Sequence, residues 1–234
     1  FETGVTTAIL GHNGSGKSTL WYERLANRLQ IPLVNADRLT MSVLPEPAGK
    51  PARLPEWAQS FRDENRTWQA LSQSGVRLFR QLIVDQRQAF GFETVFSHWE
   101  PRPDGSHESK IDDIKALQQS GYAVVLVFVG LTALPLSIAR VQSRRRTGGH
   151  DVPIEKLTQR FPRTQQAIGA AAKVADLTLM VDNSLEPGRA FQFVRAQRKR
   201  KVLFDIRDPR YEASADVRAA ASPWLGKVVG AFRN

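Results

Sequence analysis

Short apolar runs alternate along this chain with longer stretches whose apolar residues recur at helical spacing. That alternation predicts an α/β fold, a mostly parallel sheet of about five strands with helices on both faces. VTTAIL, from Val5 to Leu10, reads as the first strand, and a helix carrying STLWYERLANRLQ opens at Lys17. IPLVNAD forms a second strand ending at Asp37, and LPEPAGKPARLP (44–55) is too rich in Pro for regular structure. From Trp57 to Gln88 the spacing of Phe61, Trp68, Leu71, Val76, Phe79, Leu82 and Ile83 is helical. AFGFETVFS (89–97) is a third strand, and the polar loop HWEPRPDGSHESK ends it. A helix near Ile111 to Ser120 leads into the strand YAVVLVFVGL, followed by the helix LPLSIARVQSRRR. The loop TGGHDVP precedes a helix from Ile154, with a bend expected at Pro162. DLTLMVDNS is the fifth strand, and RKVLFDI lies in a final hairpin-like or helical region. Neither a repeat nor a linker interrupts the 234 residues, so the expectation is one domain over 1–234 with its tail, 186–234, unassigned.

Composition narrows the classes. The longest apolar run, AVVLVFVGL, is about half the roughly 20 residues needed to cross a bilayer, so it reads as a buried strand and no membrane role is expected. With no Cys there are no disulfides and no thiolate metal sites, which suits a reducing compartment; with no signal-peptide pattern, the expectation is cytoplasmic. The net charge of +10 raises the question of nucleic acid. The dense basic runs, Arg144 to Arg146 and Arg195 to Lys201, lack interleaved aromatic residues, so they read as solvated faces before nucleic-acid contacts.

The chemistry begins at GHNGSGKST. Gly11, Gly16, Lys17 and Ser18 satisfy the phosphate-loop pattern, with a strand before it and a helix after it. The fold class is therefore a P-loop NTPase, three-layer α/β/α, binding ATP with Mg²⁺. Residues Gly11, His12, Asn13, Gly14, Ser15, Gly16, Lys17, Ser18 and Thr19, with Arg140 from later in the chain, are the expected ATP contacts. Glycines let backbone N–H groups turn towards the β-phosphate, Lys17 bridges β- and γ-phosphates, and the Ser18 hydroxyl ligates the metal. Gly11, Gly14 and Gly16 have the wrong spacing for a dinucleotide fingerprint.

The same loop occurs in transporter ATPases, but the rest of that machinery is missing. LSQSG followed by LIVDQ imitates it poorly: Gln86 stands where the acid should be, and the spacing there is helical. A kinase needs an acid that orients or deprotonates a hydroxyl. Asp37, expected at the carboxyl end of the second strand, is the candidate base, with helix capping as its bland alternative. Glu93 stands mid-strand in FETVFS, where a carboxylate is costly to bury without a ligand or partner. Thr94, Ser97 and Arg38 complete the expected acceptor side. Arg140 and Arg144 lie four apart on one helix, and Arg160 and Arg163 follow a Gly-Gly hinge. Together they describe a helical lid over about 140–165 that stabilises the charge of the transferring phosphoryl group.

These residues resemble the zeta-toxin family of P-loop kinases, in particular its broad bacterial branch known as predicted ABC-type ATPases. The shared pattern comprises the phosphate loop; Asn35 and Asp37; Glu93, Thr94 and Ser97; Arg140, Val141, Arg144, Gly148, Gly149, His150, Val152 and Pro153; Arg160, Phe161 and Arg163; and Asp182, Asn183 and Ser184. The resemblance implies ATP-dependent phosphorylation of a hydroxyl on a nucleotide sugar, in the best-known members the 3′-hydroxyl of the amino-sugar in UDP-N-acetylglucosamine. It implies Asp37 as base, Lys17 and Arg144 with Arg160 or Arg163 on the phosphates, Glu93 and Thr94 in the substrate and Mg²⁺ region, and an antitoxin protein as partner. A kinase of another small molecule or of a polynucleotide end, and a nucleic-acid-associated regulatory NTPase, remain as alternatives.

Overall fold

The computed structural model describes residues 4–50, 52–147, 149 and 152–232. Its centre is a seven-stranded sheet in the order β2-β3-β1-β6-β7-β8-β9. The strands are β1 (Val5–Gly11), β2 (Leu33–Val34), β3 (Phe90–Thr94), β6 (Ala123–Gly130), β7 (Leu177–Asp182), β8 (Gln192–Arg198) and β9 (Lys201–Asp205). The first five named run parallel, and β8 and β9 add an antiparallel hairpin at one edge. The five expected strands are thus all present, and the two extra come from the tail, where QFVRAQR and KVLFD pair across a turn at Lys199. A helix, α9 (Ala215–Val229), follows them, so the tail is both hairpin and helix.

Alternation along the buried strands explains the layers. Leu126 and Phe128 of β6 pack with Ile114 and Leu117 of α6 (Ile111–Gln119), Ala167 and Ile168 of α8 (Ile154–Ala171), and Trp224 and Leu225 of α9. Val127 and Val129 face the other way, onto Leu20 of α1 (Lys17–Leu20). Because successive side chains of a strand point to opposite faces, an apolar run without polar breaks must be covered on both.

Four expected boundaries shift. The second strand stops at Val34, because the Asn35 side chain accepts from the N–H groups of Asp37 and Arg38 and starts α3 (Ala36–Met41) there. Asp37 therefore belongs to a helix rather than to a strand end, and Asn35, not Asp37, is the cap. The helix expected from Trp57 to Gln88 divides into α4 (Glu56–Glu64) and α5 (Arg66–Asp85), since the Asn65 side chain caps Trp68 N–H. The helix after the phosphate loop runs through a π turn, Trp21–Leu25, into α2 (Ala26–Leu29). The loop after β3 contains a second, two-stranded sheet, β4 (Trp99–Pro101) with β5 (His107–Ser109), and Trp99 stacks on His107 at 4.3 Å. α7 (Leu134–Arg146) follows β6 as expected, and Pro162 is carried inside α8.

Among the described residues, no helix is long and apolar enough to cross a membrane.

Candidate functional site

The register of the sheet sets the site. β1 lies between β3 and β6, so its carboxyl end, Gly11, opens at the middle of the sheet, where ligands of parallel α/β folds are held. Between β1 and α1 the chain turns through Gly14 (φ 70°) and Gly16 (φ 91°), left-handed conformations that a side chain strains. Donors hold several loop carbonyls: Ser137 Oγ of α7 donates to Asn13 O (2.7 Å), Asn183 Nδ2 to Ser15 O (2.8 Å), and Lys17 Nζ to His12 O (3.0 Å). A Cβ on Gly16 would lie 2.6 Å from Asn183 Nδ2, and one on Gly11 2.5 Å from Ser15 Oγ, so the loop closes only with glycine at both places. The Ser15 hydroxyl is buried without a partner. A glycine cradle with an orphaned hydroxyl inside it and a buried ammonium at its end fits a phosphate chain.

Lys17 is almost wholly buried (8% exposed). Burial lowers its pKa; the carboxylates of Glu93 and Asp37 oppose that shift, and the Arg144 guanidinium adds to it. All three groups therefore lie within electrostatic reach of the Lys17 ammonium, although they come from β3, α3 and α7. Ile9 of β1 is in register with Glu93, which puts Glu93 in the penultimate position of β3 rather than mid-strand. There its carboxylate accepts from the Ser18 hydroxyl at 2.9 Å and from Asn35 Nδ2 at 2.9 Å. Asn35 is thus bifunctional, starting α3 with its oxygen and holding Glu93 with its nitrogen. Hard oxygens on Ser18 and Glu93, one hydrogen bond apart at the loop's edge, suit Mg²⁺, which keeps most of its waters and takes few protein ligands. Among the described residues no group of three or more acidic, His or Cys side chains could cage a metal by itself.

His12 behaves unlike a general acid or base. It is 2% exposed, stacks on Phe161 of α8 at 3.8 Å and 11°, and meets the edge of Phe128 at 5.7 Å. Neither ring nitrogen has a partner. Burial, helped by the Lys17 charge, pushes its pKa down to about 3, so the ring is neutral. The phosphate loop and the helix carrying Arg160 and Arg163 meet through this stack.

The remaining expected residues spread around the loop. Thr19 is exposed on α1, and Arg38, exposed on α3, lies over the Tyr22 ring at 5.2 Å. Arg140 is half-buried on α7, with its Cβ against Gly14 and its charge within reach of Asp182. Arg144 is exposed near the end of the same helix, where Gly149 N–H donates to its carbonyl. Arg160 is half-buried on α8, while Arg163 pairs with Glu100 of β4 at 3.1 Å. Thr94 turns to the face of β3 opposite Glu93 and accepts from Lys110 Nζ; Ser97 is partly buried beyond β3. Gly148 and His150 of the hinge lie outside the described residues.

Several contributors escaped sequence reading. Ser137 and Lys110 carry no motif, and only the fold brings them to the loop and to β3. Asn183 is already singled out in the sequence with Asp182 and Ser184, but its hydrogen bond to Ser15 O comes only from the fold. Asp182 itself is fully buried and accepts from Trp224 Nε1 (2.7 Å), Ser184 N–H and Ser184 Oγ (both 2.9 Å), which fixes the turn presenting Asn183 to the loop.

No protein-family model matches the chain, and no curated protein matches its sequence. Solved structures do. A chain in the crystal structure of AvrRxo1-ORF1:-ORF2 with ATP aligns with TM-score 0.60 at 13% identity over 92% of this chain and 66% of that one. A structure of the PezAT chromosomal toxin–antitoxin system of Streptococcus pneumoniae aligns over 100% of this chain and 81% of that one, TM-score 0.54 and 12% identity. A candidate kinase from Chloroflexus aurantiacus aligns over 80% and 92%, TM-score 0.51 and 18% identity. Likenesses at such identity show the fold alone, a three-layer α/β/α arrangement around a mostly parallel sheet.

Proposed function

We propose that the chain is an ATP-dependent phosphotransferase of the zeta-toxin type, a single P-loop kinase domain that phosphorylates a sugar hydroxyl of a nucleotide sugar such as UDP-N-acetylglucosamine. The observation that carries this reading is the hydrogen-bonded set at the mouth of the phosphate loop, where Glu93 accepts from Ser18 and from Asn35, and the same Asn35 caps the helical turn that carries Asp37. A nucleotide switch needs the loop and a metal ligand. A second, exposed carboxylate beside them is what an attacking hydroxyl needs.

In this mechanism the loop amides and Lys17 hold the phosphates of ATP, and Arg144 meets the γ-phosphoryl group from α7. Asp37 accepts the proton of the sugar hydroxyl as that oxygen bonds to the γ-phosphorus and the bond to ADP breaks. Its place in the first turn of α3, fixed by the Asn35 cap, keeps the carboxylate at the site's open edge. Ser18 and Glu93 would hold Mg²⁺, which supplies neutralisation of the developing phosphate charge. Each interaction is positional or electrostatic, which is the contribution a protein makes to phosphoryl transfer.

The solved toxin–antitoxin structure supports an antitoxin protein as partner. ATP and nucleotide sugars as substrates, with a chain free of Cys, support a cytoplasmic location. The reading is tested by incubating the protein with ATP, Mg²⁺ and a panel of nucleotide sugars and following the acceptors by mass spectrometry. A phosphate-sized mass gain on one of them is expected. ATP consumption with phosphate found only on an oligonucleotide end, or on no acceptor at all, would defeat it.

A further inference from the structure

One edge of the sheet is left open beside a group of unpaired charges. Among the described residues β9 is the last strand of the order, and β8 is its one partner. Its Val202 and Leu203 are 45% and 44% exposed, unlike the apolar residues of the central strands. The Tyr211 hydroxyl donates to the Leu203 carbonyl at 3.4 Å, a long bond for an O–H donor, so this carbonyl is open to a donor from outside the ladder. At the turn that joins β8 to β9, Arg198, Arg200 and Lys201 are exposed, and none has a side-chain hydrogen bond or ion pair among the described residues. Lys199, in the same turn, reaches Asp176 only at 3.9 Å.

A cleft of about 840 Å³ adjoins this edge, with Leu203, Phe204, Tyr211, Val229 and Phe232 in its walls. The charges that also line it are settled among themselves. Asp205 takes Arg195 and Arg207, and Asp208 takes Arg210 at 2.6 Å. The cleft therefore offers apolar surface, and the free cations stand at one end of it. Lysines on an edge strand ordinarily guard it against pairing. Here the cations gather at the turn and leave two aliphatic side chains uncovered beyond it. β6, β7 and β8 separate β9 from β1, roughly 19 Å at ordinary strand spacing, so this surface is not part of the phosphate-loop site.

We propose that the outer edge of β9 and its cleft dock an extended segment of a partner protein, apolar along Val202, Leu203 and the cleft and acidic where it passes the hairpin turn. An added strand gains main-chain hydrogen bonds from the edge, and its alternate side chains fill the adjoining cleft. Charge complementarity fixes the acidic end, because Arg198, Arg200 and Lys201 have no counter-charge within the described residues. A second copy of the chain is a poor occupant, since it brings the same three cations and a net charge of +10 to the contact. Nucleic acid fits less well too. The Phe193 and Phe204 rings stack on each other at 5.1 Å and 10°, Tyr211 meets Phe204 at 4.8 Å, and carboxylates line the cleft. Ring faces spent on one another leave less platform for bases, and the carboxylates oppose a phosphate backbone. The proposal is independent of the kinase reading.

A phage-displayed library of random peptides, selected on the full chain, tests this directly. Enriched peptides are synthesised and titrated by fluorescence anisotropy against the parent and two variants. Acidic residues beside Val, Ile, Leu or Phe should dominate the enriched sequences. The double variant Arg200→Glu with Lys201→Glu should weaken their binding by about tenfold or more, and added salt should weaken the parent complex in the same direction. Leu203→Lys should weaken it by a similar factor through the apolar part of the contact. Both variants alter exposed side chains, and a urea midpoint equal to the parent's shows that each is folded. A library that yields no binder overturns the proposal. So do peptides that bind parent and both variants equally, or that an ATP analogue displaces, since those sit elsewhere. A single-stranded RNA oligomer that binds the parent more tightly than every selected peptide, and is lost in the double variant, would give the surface to nucleic acid and overturn it as well.

Discussion

The Ser18 hydroxyl donates to the Glu93 carboxylate at 2.9 Å, joining the first turn after the phosphate loop to a strand 75 residues further on. On the account above, this pair would hold Mg²⁺ when nucleotide is bound. Glu93→Gln keeps shape and hydrogen bonding and removes the charge. It should raise the Mg²⁺ concentration for half-maximal transfer by about tenfold. A Mg²⁺ titration of phosphoryl transfer at saturating ATP measures this, and an unchanged midpoint would remove Glu93 from the metal region.

Asn35 serves two elements at once, so its removal should show in two readouts. Asn35→Ala loses the cap of α3 and the Glu93 donor, and should cost about 1 kcal/mol of stability in chemical denaturation. It should also lower the transfer rate, because Asp37 is carried by the turn that the cap starts. Loss of stability at full activity would separate the cap from the base.

The His12 ring gives a pH signature. Its pKa in the folded state is about 3, against the usual 6.5, so between those values the unfolded chain binds a proton that the folded chain does not. Stability from this group is complete above pH 6.5 and declines as the pH falls towards 3. Within that window the slope is at most about 1.4 kcal/mol per pH unit. His12→Phe keeps an aromatic ring against Phe161 and should lose this component. Urea denaturation of both proteins at about pH 5 and about pH 7 checks it; identical pH dependence would mean that His12 is solvated or paired in solution.

Packing of α8 on α9 depends on Gly169. A Cβ there would lie 2.1 Å from the Val228 carbonyl oxygen, and backbone cannot swing aside as a side chain can. Gly169→Ala should destabilise the protein by about 1 to 3 kcal/mol despite alanine's better helix propensity. Thermal unfolding measures the change, and a neutral or stabilising result would mean that the two helices sit further apart.

Much of this architecture was legible in the sequence, and what was not has physical reasons. The phosphate loop and the five parallel strands follow from local patterns, a glycine-rich turn and apolar runs long enough for one strand each. The π turn at Trp21–Leu25 and the break at Asn65 are local too, but their signals are single residues inside otherwise helical spacing. The β8–β9 hairpin was harder to read because Arg195 and Gln197 sit at buried positions, where alternation calls for apolar residues; Asp205 satisfies Arg195 there. Site geometry depended on register: Glu93 could be named from its residue type, but its neighbours Ser18 and Asn35 follow from β3 lying between β1 and β2. Lys110 was invisible for the same reason, since only the hairpin of β4 and β5 returns the chain to Thr94.

Asp37 as the base is the central claim, and one variant tests it directly. Acceptor phosphorylation by Asp37→Asn and the parent is compared at matched ATP occupancy, with ATP affinity measured separately. The account predicts ATP binding within about threefold of the parent and a transfer rate lower by at least about a hundredfold. Transfer by Asp37→Asn at the parental rate would contradict it.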